Sequence, residues 1–200
     1  MSLACCADSN FPDQSTTINW KPDDIWFPNR TGCLYVKEAP RKHEGYAKAR
    51  IFNIDSGKRC YRLTSTKEQD YLVRGTFLFG DSLRTTLDTY FDVLVGVTGI
   101  SRVSSSEDSE VEGIFRATKD YIDFCLEKVQ GDPYISKLEL RPLQNLNYLQ
   151  GFPSTTVLKS FRRIDVGNTG RDIRYASSLF EANILIKMRK WIILNGSDII

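Results

Sequence analysis

A single histidine, His43, and five cysteines with no CxxC spacing leave nothing from which a zinc set of the usual kind could be assembled. No GxSxG elbow, HExxH, P-loop or GxGxxG occurs either, so the commonest hydrolytic, phosphate-cradling and dinucleotide-binding devices are missing. His43 sits in the polar stretch Arg41-Lys42-His43-Glu44-Gly45, which nominates no partner for general-base work, and a nucleophilic thiol would need such a partner too. The neighbouring carboxylates Asp23-Asp24 and Glu107-Asp108 face apart rather than converging. No metal and no cofactor is implied. The reading is a binding module, and an enzyme would return only if a concave site gathered His43 with two carboxylates.

Long apolar runs are also missing. A spanning helix needs about 18 consecutive apolar residues, and Lys187, Arg189 and Lys190 interrupt the best candidate. Met1 to Ala7 offers neither the basic region nor the apolar stretch of a signal peptide, which leaves a cytosolic protein or a true start that precedes this sequence. Charge of one sign is scarce as well: 27 basic against 25 acidic residues leave +2, scattered along the chain. No field for steering nucleic acid follows from that balance.

What is present is strand alternation. In Tyr121 to Glu127 the apolar Ile122, Phe124 and Leu126 fall on one face and Asp123 and Glu127 on the other, the period-2 mark of a half-buried strand. After Gly131-Asp132-Pro133, Leu138 and Leu140 oppose Glu139 and Arg141, and Ser109 to Leu143 reads as a three-strand meander. Further strands are expected at Arg50 to Ile54 and Lys58 to Leu63. In Tyr71 to Phe79, Tyr71, Val73, Gly75 and Phe77 oppose Leu72, Arg74 and Thr76, and a last alternating run is Phe91, Val93, Val95 and Val97. This spacing predicts a sandwich or barrel closing over Phe77, Val95 and Phe124. Only Ala176 to Trp191, which lacks alternation and turn residues, is expected to be helical.

From Ser9 to Glu44 prolines alternate with aromatics, which reads as long loops pinned by ring anchors. An exposed indole pair would suit stacking on the flat face of a sugar, although indoles beside prolines more often pack on the core. Trp20, Trp26 and Tyr35 are the candidate ligand contacts. The odd cysteine count, Cys5, Cys6, Cys33, Cys60 and Cys125, permits at most two intrachain bridges, and the neighbours Cys5 and Cys6 would seldom bridge each other. Buried free thiols of a cytosolic protein are the alternative. The sequons Asn29-Arg30-Thr31 and Asn195-Gly196-Ser197 matter only on the secretory route.

Several segments, in order, resemble one family. Ala4-Cys5-Cys6-Ala7-Asp8-Ser9-Asn10-Phe11-Pro12-Asp13, Phe52-Asn53-Ile54-Asp55-Ser56-Gly57-Lys58-Arg59-Cys60-Tyr61, Tyr71-Leu72-Val73-Arg74-Gly75-Thr76-Phe77, Asp120-Tyr121-Ile122-Asp123-Phe124-Cys125-Leu126 and Tyr134-Ile135-Ser136-Lys137-Leu138-Glu139-Leu140-Arg141-Pro142-Leu143 are similar to stretches of the malectin-like ectodomain of plant leucine-rich-repeat receptor-like kinases. The double cysteine near the start and FRATKDYIDFCL place the resemblance nearest the symbiosis receptor-like kinase subgroup.

The resemblance implies an all-β, jelly-roll-type sandwich over residues 1–175, with 176–200 an atypical tail, helical or disordered. It also implies a non-catalytic module on the outer face of the plasma membrane in full-length relatives, recognising a cell-wall glycan or a co-receptor protein; an interaction module without sugar binding is the alternative. It moves Cys6, Cys33, Cys60 and Cys125 toward disulfides and makes Asn29 a glycosylation candidate. After Tyr175 the family normally continues into a second such unit, whereas here Ala176 to Ile200 follows; a partial or mis-spliced gene model is preferred over a truncated decoy.

Overall fold

Alternation along the strands becomes two packed layers. A computed structural model describes residues 1–13, 16–36, 47–83, 88–143, 148–154, 156–164 and 188–194, with 81, 161–164 and 188–194 as backbone. The N-terminal third contributes short pieces, β1 (Ser2–Ala4), β2 (Phe11–Pro12), β3 (Asn19–Trp20), β4 (Cys33–Tyr35) and β5 (Lys48–Ile51). Longer strands follow, β6 (Lys58–Thr64), β7 (Asp70–Phe77), β8 (Tyr90–Val95), β9 (Thr98–Ser104), β10 (Ser109–Arg116) and β11 (Tyr121–Gln130). β12 (Tyr134–Ile135), β13 (Lys137–Pro142), β14 (Val157–Ile164) and β15 (Met188–Leu194) complete the set.

One sheet is six-stranded in the order β1-β13-β7-β10-β14-β15, and the other is four-stranded, β6-β11-β8-β9. A three-stranded sheet, β12-β5-β4, and the ribbon β2-β3 are smaller. Val73 and Phe77 of β7 and Val111 and Phe115 of β10 share one buried cluster with Phe91, Val93 and Val95 of β8 and Ile122, Phe124 and Leu126 of β11. Each such side chain removed from water contributes about 1.5–3 kcal/mol. The rows expected to face inward, with Phe77, Val95 and Phe124, are the rows that do.

Three expectations are corrected. Ser109 to Leu143 is not a meander: β10 pairs with β7 and β14, β11 with β6 and β8, and β13 with β1 and β7, so the chain changes layer between successive strands. Alternation reports which face is apolar and is blind to the partner strand. Val97 does not extend the inward row of β8, because Gly96 turns the chain at φ 62° and leaves Val97 75% exposed. The expected C-terminal helix is overturned over its final residues, since β15 pairs antiparallel with β14 along the sheet edge; Trp191, Ile192 and Ile193 are strand formers. The rest of that expected helix, 176–187, lies outside the described residues.

The opposite face of β7 is buried too. Leu72 packs with Ile114, Leu143, Leu149 and Leu158. Beside them Arg74 donates from Nε to Glu112 at 2.7 Å, from Nη2 to the same oxygen and from Nη1 to Glu139 at 3.2 Å. A buried arginine is tolerated because its carboxylate partners are buried with it.

Candidate recognition surface

Residues two apart on a strand share a face, and on β5 that face carries Lys48 and Arg50, which reach two different parts of the N-terminal segment. Arg50, 2% exposed, grips the fully buried Asp23 at two points, Nε to Oδ2 at 2.5 Å and Nη2 to Oδ1 at 2.8 Å. Asp23 also accepts from the Cys6 amide at 2.9 Å and the Tyr61 hydroxyl at 2.9 Å. Arg50 Nη1 in turn donates to the Asn29 carbonyl at 2.9 Å. Asp23 is thus the knot that fastens the loop before β4 onto β5 and β6.

Around the knot the environment is apolar. Phe27 packs edge-on against Phe52 and Tyr61 at centroid distances of 4.9 and 5.0 Å, and the Cys5 thiol meets the Tyr61 hydroxyl at 3.5 Å. Burial pushes the Cys5 thiol well above its ordinary range, and the charge of Asp23 adds to the effect. The Tyr61 phenol is raised for the same first reason, with Cys5 and Asp23 next.

Above this base Tyr35, Asp8 and Arg30 are exposed, and Lys48 lies covered between them. Lys48 Nζ pairs with Asp8 at 2.7 Å and stands 4.8 Å from the centre of the Tyr35 ring. Asp8 is held also by Arg30, which reaches Asp24 at 3.5 Å. Hydrogen bonds from Lys48 and then Arg30 lower the Asp8 carboxyl below its usual range. Tyr35 keeps 57% of its surface exposed, and its carbonyl accepts from Ser82 Oγ at 2.6 Å. Cys6 is bonded to Cys33, which roots the start of β4, and Gly32 precedes it at φ 84° with no room for a side chain against the Ile51 carbonyl.

The three aromatic candidates part company here. Trp20 is 1% exposed and packs with Ala4, Ala7 and Ile18, so its ring offers no face to a ligand. Trp26 is half-buried on the main core, 6.1 Å from Tyr61, with its indole N–H donated to the Arg62 carbonyl at 2.9 Å, where it covers part of the open edge of β6. Of these three, Tyr35 alone is an exposed ring. Sequence reasoning missed Asp8, Arg30 and Lys48; the alternation of Lys48 with Ala49 was the one available signal. His43 and Asn195 lie outside the described residues. Asn29 is exposed, and its Oδ1 accepts from the Thr31 amide at 2.9 Å and hydroxyl at 2.7 Å. Among the described residues no group of three or more His, Cys, Asp or Glu could hold a metal ion, and no helix is long and apolar enough to cross a membrane.

The family model of the malectin-like domain matches residues 3–181. The chain belongs to the malectin-like family. This malectin-like domain is 47% identical over 176 residues to the nodulation receptor kinase of Pisum sativum, covering 87% of the chain and 18% of the relative. It is 30% identical over 189 residues to the LRR receptor-like serine/threonine-protein kinase IOS1 of Arabidopsis thaliana, covering 90% and 21%. The chain therefore spans about a fifth of these relatives' length, and the aligned part is the malectin-like domain rather than a kinase domain. Among solved structures, the ANX2 ectodomain of Arabidopsis thaliana superposes with TM-score 0.64 at 19% identity, over 82% of this chain and 48% of that one. A second, solved as the plant peptide RALF23 in complex with FER and LLG2, superposes with TM-score 0.58 at 13% identity, over 82% and 47%. These likenesses carry the fold alone.

Proposed function

We propose that this malectin-like domain is a non-catalytic, extracellular recognition module of a receptor-like kinase, and that it meets a polypeptide partner across Tyr35, Asp8 and Arg30, which the covered Lys48 supports from below. The observation that carries the reading is the exposed Tyr35 ring held beside Lys48 on a base tied down by Asp23, Arg50 and Cys6–Cys33. An aromatic anchor whose surroundings are already ordered loses little freedom when a partner closes on it. Charges of both signs side by side suit a partner carrying both. The burial of Trp20 and the engaged indole of Trp26 leave a sugar fewer faces to stack on, which ranks a glycan second.

A photo-crosslinking amino acid at position 35 of the receptor-borne domain is the test. A covalent adduct of protein or peptide mass is expected, together with no binding of cell-wall oligosaccharides at millimolar concentration. Oligosaccharide binding that Tyr35→Ala abolishes would replace the polypeptide reading with the glycan one. The same extracellular life predicts a glycan on Asn29: secreted material should lose mass on enzymatic deglycosylation, and the Thr31→Ala form should lose less by the mass of one glycan.

A further inference from the structure

The two disulfides hold different kinds of structure. Cys6–Cys33 joins the turn after β1 to β4, and these belong to sheets that share no ladder. Cys60–Cys125 joins β6 to β11 at residues that already face each other, midway along a ladder running from Tyr121↔Thr64 to Glu127↔Lys58. The backbone pairs on either side hold β6 against β11 whether or not the sulfurs are bonded. Tyr61 and Leu63 point into the core, so Cys60 lies on the outward face with Lys58 and Arg62. β6 is also an edge strand, and Cys60 is half-buried whereas Cys125 is covered.

We propose that Cys60–Cys125 is a solvent-facing redox switch, opened by a dithiol reductant while the sandwich stays folded and Cys6–Cys33 stays closed. A displacement at sulfur runs in line with the bond it breaks. Cys60 is on the edge strand and is the more exposed of the two cysteines, so an incoming thiolate attacks Cys60 Sγ. The Cys60–Cys125 bond breaks, its electron pair leaves on Cys125 Sγ, and that sulfur takes a proton. The second thiolate of the dithiol then attacks its own sulfur in the mixed disulfide and frees Cys60, so the dithiol is oxidised to a disulfide as both cysteines are reduced. The strand released from its clamp is the one whose Tyr61 hydroxyl binds Asp23 and whose Arg62 carbonyl holds the Trp26 indole, directly beneath the N-terminal loops. This inference stands whichever partner the surface above it meets.

The test uses the native chain in graded dithiothreitol, with thiols alkylated and mapped by mass spectrometry and far-ultraviolet circular dichroism followed in parallel. Cys60 and Cys125 should become alkylated at about tenfold less reductant than Cys6 and Cys33, with the spectrum unchanged. Cys5, a buried free thiol, should stay unmodified throughout that range and so report that the fold persists. Opening of Cys6–Cys33 first, or of both bridges together with alkylation of Cys5, would overturn the proposal. A monothiol reagent should be found on Cys60; its recovery on Cys125 would overturn the direction of attack.

Discussion

The ring of Phe124 occupies the space a side chain on Gly75 would need: a Cβ there would lie 2.8 Å from Phe124 Cζ and 3.0 Å from Phe77 Cζ. Glycine in a central strand is costly on its own account. It is present because the two layers touch at this point. Gly75→Ala should therefore lower stability by about 1–3 kcal/mol through overpacking, read as a drop in the urea midpoint. Adding Phe124→Leu should recover part of that loss, since residues in contact couple. A neutral Gly75→Ala would mean that the layers stand farther apart than described.

Asp23 and Arg50 invite the second prediction. Both are buried, and Asp23 gathers hydrogen bonds from Arg50, Cys6 and Tyr61. Asp23→Ala leaves a buried guanidinium without its counter-charge, for which about 3–5 kcal/mol is expected. Chemical denaturation measures it, and a cost below about 1 kcal/mol would show that the knot is dispensable.

Alkaline pH should weaken the fold. Cys5 and Tyr61 are raised well above their ordinary values of 9.0 and 10.0, and Tyr134 is pushed up to about 12, first by burial and then by Asp108. In each case the folded chain keeps a proton that the unfolded chain releases. The stabilisation is whole below the unfolded values and is lost as pH climbs toward the folded ones. Urea midpoints should hold steady up to about pH 8.5 and then fall through pH 9–11; a level profile across that interval would contradict the burial of all three groups.

Tyr35 is the complementary case, a ring that contributes to contact more than to folding. Tyr35→Ala should change stability by no more than about 0.5 kcal/mol, as surface changes do. The same substitution should weaken the cell-surface partner by at least about 2 kcal/mol if the ring is the anchor of the contact, measured once the crosslinked partner is identified. A stability loss well beyond that limit would assign Tyr35 to packing instead.

The strands were the legible part. Ile122, Phe124 and Leu126, or Phe91, Val93 and Val95, announce their inward face within a few residues, because the pleat repeats every two positions. Arg74 was not legible. Its alternation reads as a solvent face, and residues far along the chain turn that face into a buried one: Glu112 and Glu139, 38 and 65 residues away, and the apolar side chains packed on Leu72. Trp20 shows the same limit from the other side, since nothing near it reveals that Ala4, Ala7 and Ile18 enclose it. Met188 to Trp191 lacked a local signal strong enough to separate strand from helix, and pairing with β14 decided it.

By itself the sequence determined an all-β chain, its inward rows and its kinship, since these rest on side-chain period and on motifs that are contiguous. The tertiary structure decided which cysteines bond, which aromatics reach water, and that Lys48 meets Asp8 across 40 positions of chain. Such choices depend on which strands become neighbours and in what register, and that is settled by the packing of the whole core rather than by any one segment.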